Sequence, residues 1–155
     1  MVESESDRAK RNFDELLQEL RVAQTGNQIL FAFLLTVAFT PRFAHASGGE
    51  KFVYVGTLLC ASAATALFIA PVNHHRLTFR RGMKERILPT SSRLAVAGVF
   101  FVMLALVGAL FLAVHTVVGE PWAALATATA GATYVVLWYV VPLIRRIRGY
   151  PPPEV

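Results

Sequence analysis

The chain has 155 residues, the length of one domain, and 55% of them are hydrophobic while only 16% are charged. The mean hydropathy of +0.50 is too high for a soluble domain of this size. The net charge is +5, but the basic residues cluster beside apolar runs without a helix-turn-helix or aromatic RNA-binding pattern, which excludes nucleic acid as a partner.

Four long segments contain no Asp, Glu, Lys or Arg, and all 25 charged residues lie outside them. A helix needs about 20 apolar residues to cross a hydrocarbon core of about 30 Å. Each segment can meet that length, the first least securely because its start is polar. The sequence therefore predicts an all-α integral membrane protein, a four-helix bundle. The four predicted helices cover residues 22–40, 52–72, 94–118 and 122–144.

The segment before the first apolar run divides into two parts. Residues 1–11 are polar and mixed in charge, which predicts a disordered arm. A short amphipathic helix is predicted from Asn12, because Phe13, Leu16, Leu17 and Leu20 form one apolar stripe. This helix is either an interfacial anchor or partner-docking element, or it packs beneath its own bundle. Residues 12–148 are predicted to form a single transmembrane domain, followed by a Pro-rich tail at 149–155.

The first apolar run carries the polar side chains Gln24, Asn27, Gln28 and Thr36. Gln24, Gln28 and Thr36 lie at multiples of four residues, with Ala32 between them, so they share one helix face. Lipid cannot satisfy an amide, and this face is therefore expected to turn to the bundle interior or the headgroup region. It either makes hydrogen bonds between helices or lines a path for a substrate or an ion.

Small residues recur at four-residue spacing in the second run, at Gly56, Cys60 and Ala64. They predict a close packing face within the monomer or in an oligomer. Pro89 with Ser91 or Ser92 predicts the start of the third helix. Residues 119–121, Gly-Glu-Pro, predict a tight external turn before the fourth.

Residues 73–93 hold six of the fifteen basic residues and a single acid. Basic loops that flank spans lie on the cytoplasmic side. With both termini inside, thirteen of the fifteen basic residues are cytoplasmic and only Arg42 and Lys51 are external. The sequence therefore predicts a multi-pass plasma (inner) membrane protein with cytoplasmic termini. Five basic residues of the loop either only set this topology or also contact anionic lipid: Arg76, Arg80, Arg81, Lys84 and Arg86.

Motifs that carry chemistry are missing from the sequence. It has no Gly-rich phosphate loop, no Ser-x-x-Lys and no HExxH. Proton-coupled transporters commonly place ionisable side chains in the membrane, and the four runs contain no Asp, Glu, Lys or Arg. We expect no catalytic residue, cofactor or metal site, and a non-enzymatic protein that acts through packing, as a homo-oligomer or an accessory subunit of a larger membrane complex. The alternative is a small cation or proton transporter or channel that works as an oligomer.

Two stretches of the chain resemble an uncharacterised family of small, four-span actinobacterial membrane proteins. They are residues 12–43, NFDELLQELRVAQTGNQILFAFLLTVAFTPRF, and residues 70–84, APVNHHRLTFRRGMK. The resemblance implies a four-span inner-membrane protein and supplies no catalytic residues. Some members carry the label sodium/proton antiporter, for which this sequence offers no intramembrane carboxylate.

Overall fold

The computed structural model describes residues 5–78 and 84–148, and its elements in those ranges are all helical. No strand occurs in this described part of the chain, so the predicted all-α class is confirmed. The last helix is continuous through a π-helical turn, Val136–Val140. The helices are α1 (Glu5–Val37), α2 (Pro41–Ala44), α3 (Gly48–Thr78), α4 (Lys84–Val118), α5 (Glu120–Val135) and α6 (Val141–Ile147).

Three helical stretches of the described chain are long and apolar enough to cross a membrane: Gly48–Asn73, Ser91–Val118 and Glu120–Ile147. They contain the second, third and fourth predicted runs. The first run, predicted at residues 22–40, occupies the second half of α1 but extends three residues beyond its end at Val37. Amide side chains near the start of this run lower its mean hydropathy.

α1 is longer than the sequence predicts. It begins at Glu5 rather than Asn12 and runs into the first apolar run without a break, so the amphipathic segment and that run share one helix. Leu20 is 5% exposed and packs in the core with Phe68, while Leu16 packs against the same cluster. Two members of the predicted stripe, Leu16 and Leu20, therefore pack within the first part of the chain, while the side chain of Phe13 lies outside the described residues.

The chain forms two compact units, Met1–Leu106 and Val107–Val155. In the first unit, α1 and α3 pack along each other and the fully buried ring of Phe68 lies in the core with Ala64 and Ala95. Glycine at position 98 makes room for this ring. A Cβ added there would lie 2.7 Å from Phe68 Cδ1, closer than van der Waals contact allows.

The second unit contains the end of α4 and the helix from α5 to α6. Gly119 alone connects them, with a φ of +88° that favours glycine, where the sequence predicts a tight turn. In the π-helical turn the Val141 N–H bonds to Val136 O. Pro142 follows, and since it has no N–H it cannot make the ordinary helical bond at this point.

Two helix starts differ from the prediction. α3 begins at Gly48 rather than residue 52, because Ser47 and Glu50 form a capping box. α4 begins at Lys84 and includes Pro89, so Ser91 is fully buried within the helix rather than at its start. A proline biases the preceding residue away from the α conformation without forbidding it.

Candidate functional site

The polar contact between α1 and α3 is centred on Asn27, which is 2% exposed. Its Nδ2 donates to Ala61 O at 2.9 Å and to Thr65 Oγ1 at 2.8 Å. The Thr65 hydroxyl in turn donates to Ala61 O at 3.1 Å. One amide group therefore satisfies both of its N–H groups on the neighbouring helix.

The other end of the same amide is not satisfied. Asn27 Oδ1 is buried and has no hydrogen-bond partner in the described part of the chain. A buried acceptor without a donor costs about 1–3 kcal/mol. The contact thus holds α1 on α3 and also presents an acceptor to any donor or cation that reaches it. An amide does not ionise near neutral pH, so it is not suited to act as a general acid or base.

Contacts above and below Asn27 fix how far along α3 it sits. Leu20 packs in the cluster with Phe68, and Tyr54 donates its hydroxyl to Leu34 O at 2.8 Å. α1 and α3 therefore run antiparallel over this length. Because Ala61 lies in the middle of the Gly48–Asn73 stretch, Asn27 lies at the middle of it too.

The structure does not bring the four predicted lining residues together. Asn27 faces α3, Gln24 is half-buried, and Gln28 and Thr36 are exposed. Adjacent helical residues are rotated by about 100°, so Asn27 and Gln28 point in different directions from α1. Along the face predicted to turn to the bundle interior or the headgroup region, burial thus decreases from Gln24 to Gln28 and Thr36.

The basic residues proposed to contact anionic lipid fall largely outside what the structure describes. Arg80 and Arg81 lie outside the described residues. The side chains of Arg76, Lys84 and Arg86 lie outside them as well.

At the turn between α1 and α3, side chains form hydrogen bonds with backbone groups at the two helix ends. Tyr54 satisfies a carbonyl in the last turn of α1, and the Phe43 ring packs 4.5 Å from the Tyr54 ring between centroids. Ser47 and Glu50 form a reciprocal pair at the start of α3: the Ser47 N–H donates to Glu50 Oε2 at 2.8 Å, and the Glu50 N–H to Ser47 Oγ at 3.2 Å. Ser-x-x-Glu is the sequence signature of this capping box. The predicted helix begins at residue 52, after the last charged residue of the loop, and therefore leaves this capping box out.

The last helix carries three aromatic residues near its π-helical turn, one of them with an unpaired hydroxyl. Tyr134 and Trp138 stack with centroids 5.1 Å apart, and Trp138 lies in the π-helical turn. The hydroxyl of Tyr139 is buried and has no hydrogen-bond partner among the described residues. No group of three or more His, Cys, Asp or Glu side chains in the described chain is placed to hold a metal ion.

A protein-family model matches residues 2–142, and its description is "Family of unknown function (DUF6328)". The chain belongs to this family. No curated protein matches it, and no solved structure matches it.

The family match is consistent with the predicted resemblance to an uncharacterised family. That resemblance covers most of the chain from residue 12 to about residue 93 and is weaker beyond, whereas the match to DUF6328 covers residues 2–142. It therefore takes in α4, α5 and the π-helical turn as well as the contact of Asn27 with α3. Both compact units belong to the part of the chain that defines the family.

Proposed function

We propose that this protein crosses the plasma (inner) membrane four times, with both termini in the cytoplasm, and acts without catalysis as a component of a membrane assembly. The assembly is either a homo-oligomer or a larger complex in which the protein is an accessory subunit.

The contact of α1 with α3 supports the fourth span. By composition α1 is too polar to qualify as a spanning helix, but the most buried of its polar side chains, Asn27, is paired with α3. α1 also follows α3 from Phe68 to Tyr54, most of the length of a stretch that can itself cross a membrane. A helix bound along a spanning helix for this distance crosses with it.

The distribution of charge supports the orientation. The turn between α1 and α3 carries two basic residues, Arg42 and Lys51, and the opposite side of the membrane would carry the other thirteen. Cytoplasmic loops hold the excess of Lys and Arg in multi-pass proteins. The turn at residues 38–47 is therefore external.

The kind of polar group within the apolar runs supports a role in packing. An acid or base inside the membrane costs about 2.5–3.5 kcal/mol at the helix centre, and proteins that keep one use it for transport or catalysis. Here the central polar groups are amides and hydroxyls, which join helices. Asn27 is used in that way.

Labelling of single cysteines in cells tests the topology. Cys60→Ala removes the native thiol, and a cysteine is then placed at Ser4, Ala44 or Gly82. A membrane-impermeant maleimide should label Ala44→Cys in intact cells, and the other two only after permeabilisation. Equal labelling of Ser4→Cys and Ala44→Cys from outside would show that α1 does not cross.

Isolation in mild detergent tests the assembly. A lone monomer, with no partner crosslinked in native membranes, would contradict the proposed membrane assembly.

The buried acceptor of Asn27 favours a second candidate function, a small cation or proton carrier or channel that works as an oligomer. Asn27 Oδ1 has no donor in the described chain and lies at the middle of a potential span, where a carbonyl-type oxygen can coordinate a cation. Purified protein in vesicles should then dissipate a cation or pH gradient, and Asn27→Ala should reduce the rate. Vesicles that hold their gradients across a panel of monovalent cations would eliminate this candidate.

A further inference from the structure

One side of α1 carries an arginine and two glutamines whose side chains make no hydrogen bond or ion pair within the described part of the chain. They are Arg21, Gln24 and Gln28, of which Arg21 and Gln28 are exposed and Gln24 is half-buried. Steps of three and seven residues return a helical side chain to within about 60° of its starting direction. The three side chains therefore form one polar column along the helix.

The acids of α1 are not placed to neutralise Arg21. Arg11 lies beside Glu15, with its Nε 3.9 Å from Oε1, so that arginine has an acid one turn away. None of the positions three or four residues from Arg21 holds an acid, and these are the neighbours that a helical side chain reaches. Glu19 is two residues away and points to the other side of the helix. The guanidinium of Arg21 therefore needs an anion from outside the described chain.

The polar column begins below the level of the lipid phosphates. Asn27 lies opposite Ala61 in the middle of the Gly48–Asn73 stretch, and Arg21 is about 9 Å from it along the helix. Half of the hydrocarbon thickness is about 15 Å, so the Arg21 Cα lies about 6 Å inside the edge of an undisturbed bilayer. Helical side chains lean towards the N-terminus, which directs the guanidinium to the inner headgroups on the proposed topology.

We propose that this polar column binds the polar part of a glycerophospholipid from the inner leaflet. The inference rests on the proposed topology, because in water the three side chains need no partner. A guanidinium binds a phosphate through paired, charge-assisted hydrogen bonds, and a glutamine amide donates to an ester carbonyl. Gln24 lies about 4.5 Å deeper than Arg21, on the side where the esters follow the phosphate in a lipid.

The order of the groups favours a lipid over an acidic protein segment. A cation lies nearest the surface and neutral donors lie below it, which repeats the order of acceptors in a phospholipid. Gln28, one turn below Gln24, marks the lower end of the polar column. A lipid held on these groups is drawn towards the middle of the membrane, so the inner leaflet is thinner beside this side of α1.

Binding of phosphatidylglycerol to the purified full-length protein, measured by native mass spectrometry, tests the arginine. Arg21→Gln should weaken binding roughly tenfold, the effect of losing one charge-assisted interaction, while Arg21→Lys should retain part of the affinity. Arg11→Gln is the matched control, because it removes the same charge from the same helix where an acid is adjacent. Equal losses in Arg21→Gln and Arg11→Gln would reduce the effect to general attraction between charges and overturn the site.

Two competitors and one double variant identify the ligand. A galactosyl diacylglycerol has the esters without a phosphate, and glycerol phosphate has a phosphate without acyl chains, so neither should displace phosphatidylglycerol at equal concentration. Displacement by glycerol phosphate would assign the column to a soluble anion and overturn the proposal. Gln24→Leu combined with Gln28→Leu should weaken lipid binding roughly threefold, and unchanged binding would refute the role of the amides.

Spin labels on α1 test whether the polar column faces lipid. Thr25→Cys and Gly26→Cys are compared in phospholipid vesicles, in protein with Cys60→Ala. Both positions are exposed, and their labels lie at nearly the same depth about 100° apart. A water-soluble nickel chelate should reach the label at Thr25, beside the column, better than the label at Gly26. Equal access would refute the thinning, and a label at Thr25 shielded from both oxygen and the chelate would show that protein covers the column.

Two further measurements separate this proposal from the proposed function. The circular dichroism of each variant reports whether it folds, and labelling of Ser4→Cys and Ala44→Cys reports whether α1 crosses. Lipid binding unaffected by Arg21→Gln, with α1 shown to cross, would overturn only the lipid site. Equal labelling of the two cysteines from outside would overturn the topology, and the lipid site with it.

Discussion

Removing the Asn27 side chain tests whether its amide holds α1 on α3. The change is Asn27→Ala, made alone and together with Thr65→Val. Asn27 Nδ2 donates to Ala61 O and Thr65 Oγ1, at 2.9 and 2.8 Å. The double-mutant cycle isolates the second of these bonds, because Thr65→Val removes its acceptor while keeping the side-chain shape.

The structure sets the expected magnitude. Hydrogen bonds between membrane helices average about 0.6 kcal/mol and reach about 1.7 kcal/mol, so two bonds are worth roughly 1–3 kcal/mol. Asn27→Ala leaves Ala61 O still bonded to the Thr65 hydroxyl and also removes the unpaired Oδ1. Both effects offset part of the loss. We therefore expect the single change to destabilise the protein by about 1 kcal/mol, with a coupling to Thr65→Val of about 0.6–1.7 kcal/mol.

Reversible unfolding in mixed micelles, followed by circular dichroism and by the fluorescence of the two tryptophans, measures these free energies. Thr36→Val is the control, since it deletes an exposed hydroxyl that bonds only within α1, and its effect should stay within about 0.5 kcal/mol. Independent sites add to within about 0.3–0.5 kcal/mol. A coupling between Asn27 and Thr65 no larger than this would show that the bond contributes nothing and that the reasoning is wrong.

Three other changes have outcomes fixed by single contacts. Gly98→Ala should destabilise the first unit by about 1–3 kcal/mol, because the new Cβ overlaps the buried Phe68 ring, and Phe68→Leu in the same chain should relieve part of that loss. Tyr54→Phe should cost about 0.5–1.5 kcal/mol by removing the bond to the end of α1, and no change in unfolding free energy would contradict that bond. Ser47→Ala should cost about 1 kcal/mol through loss of the capping box with Glu50. Glu50→Ala is expected to weaken the same cap, so a stable Ser47→Ala with a destabilised Glu50→Ala would argue against the reciprocal arrangement.

The location of the apolar helices could be predicted from the sequence because burial in lipid requires length and the exclusion of charge. Those two properties are visible in a linear sequence. Helix ends are not fixed by them. α3 begins at Gly48, before the charged residues Glu50 and Lys51. It can begin there because Ser47 and Glu50 form a capping box at its start. α1 begins at Glu5, since a polar surface helix needs no charge-free composition.

The use of each polar side chain could not be predicted, because that depends on rotation about the helix axis. The spacing of Gln24, Gln28 and Thr36 shows correctly that they share a face, but it does not show which way the face turns. The buried stripe passes through Leu20, Asn27 and Leu34, seven residues apart. A repeat of seven residues keeps a side chain on the seam between two helices. This seven-residue repeat is present in the sequence, but it is difficult to recognise because the amide of Asn27 interrupts the apolar pattern.

The neighbouring amides of α1 therefore lie in different surroundings. Asn27 is buried against α3, so its loss should lower the unfolding free energy. Gln28, rotated by about 100° on the helix, is exposed, and Gln28→Ala should change the unfolding free energy by no more than about 0.5 kcal/mol. Unfolding in mixed micelles measures both changes, and an equal loss of stability in the two variants would contradict the placement of Asn27 alone at the contact between α1 and α3.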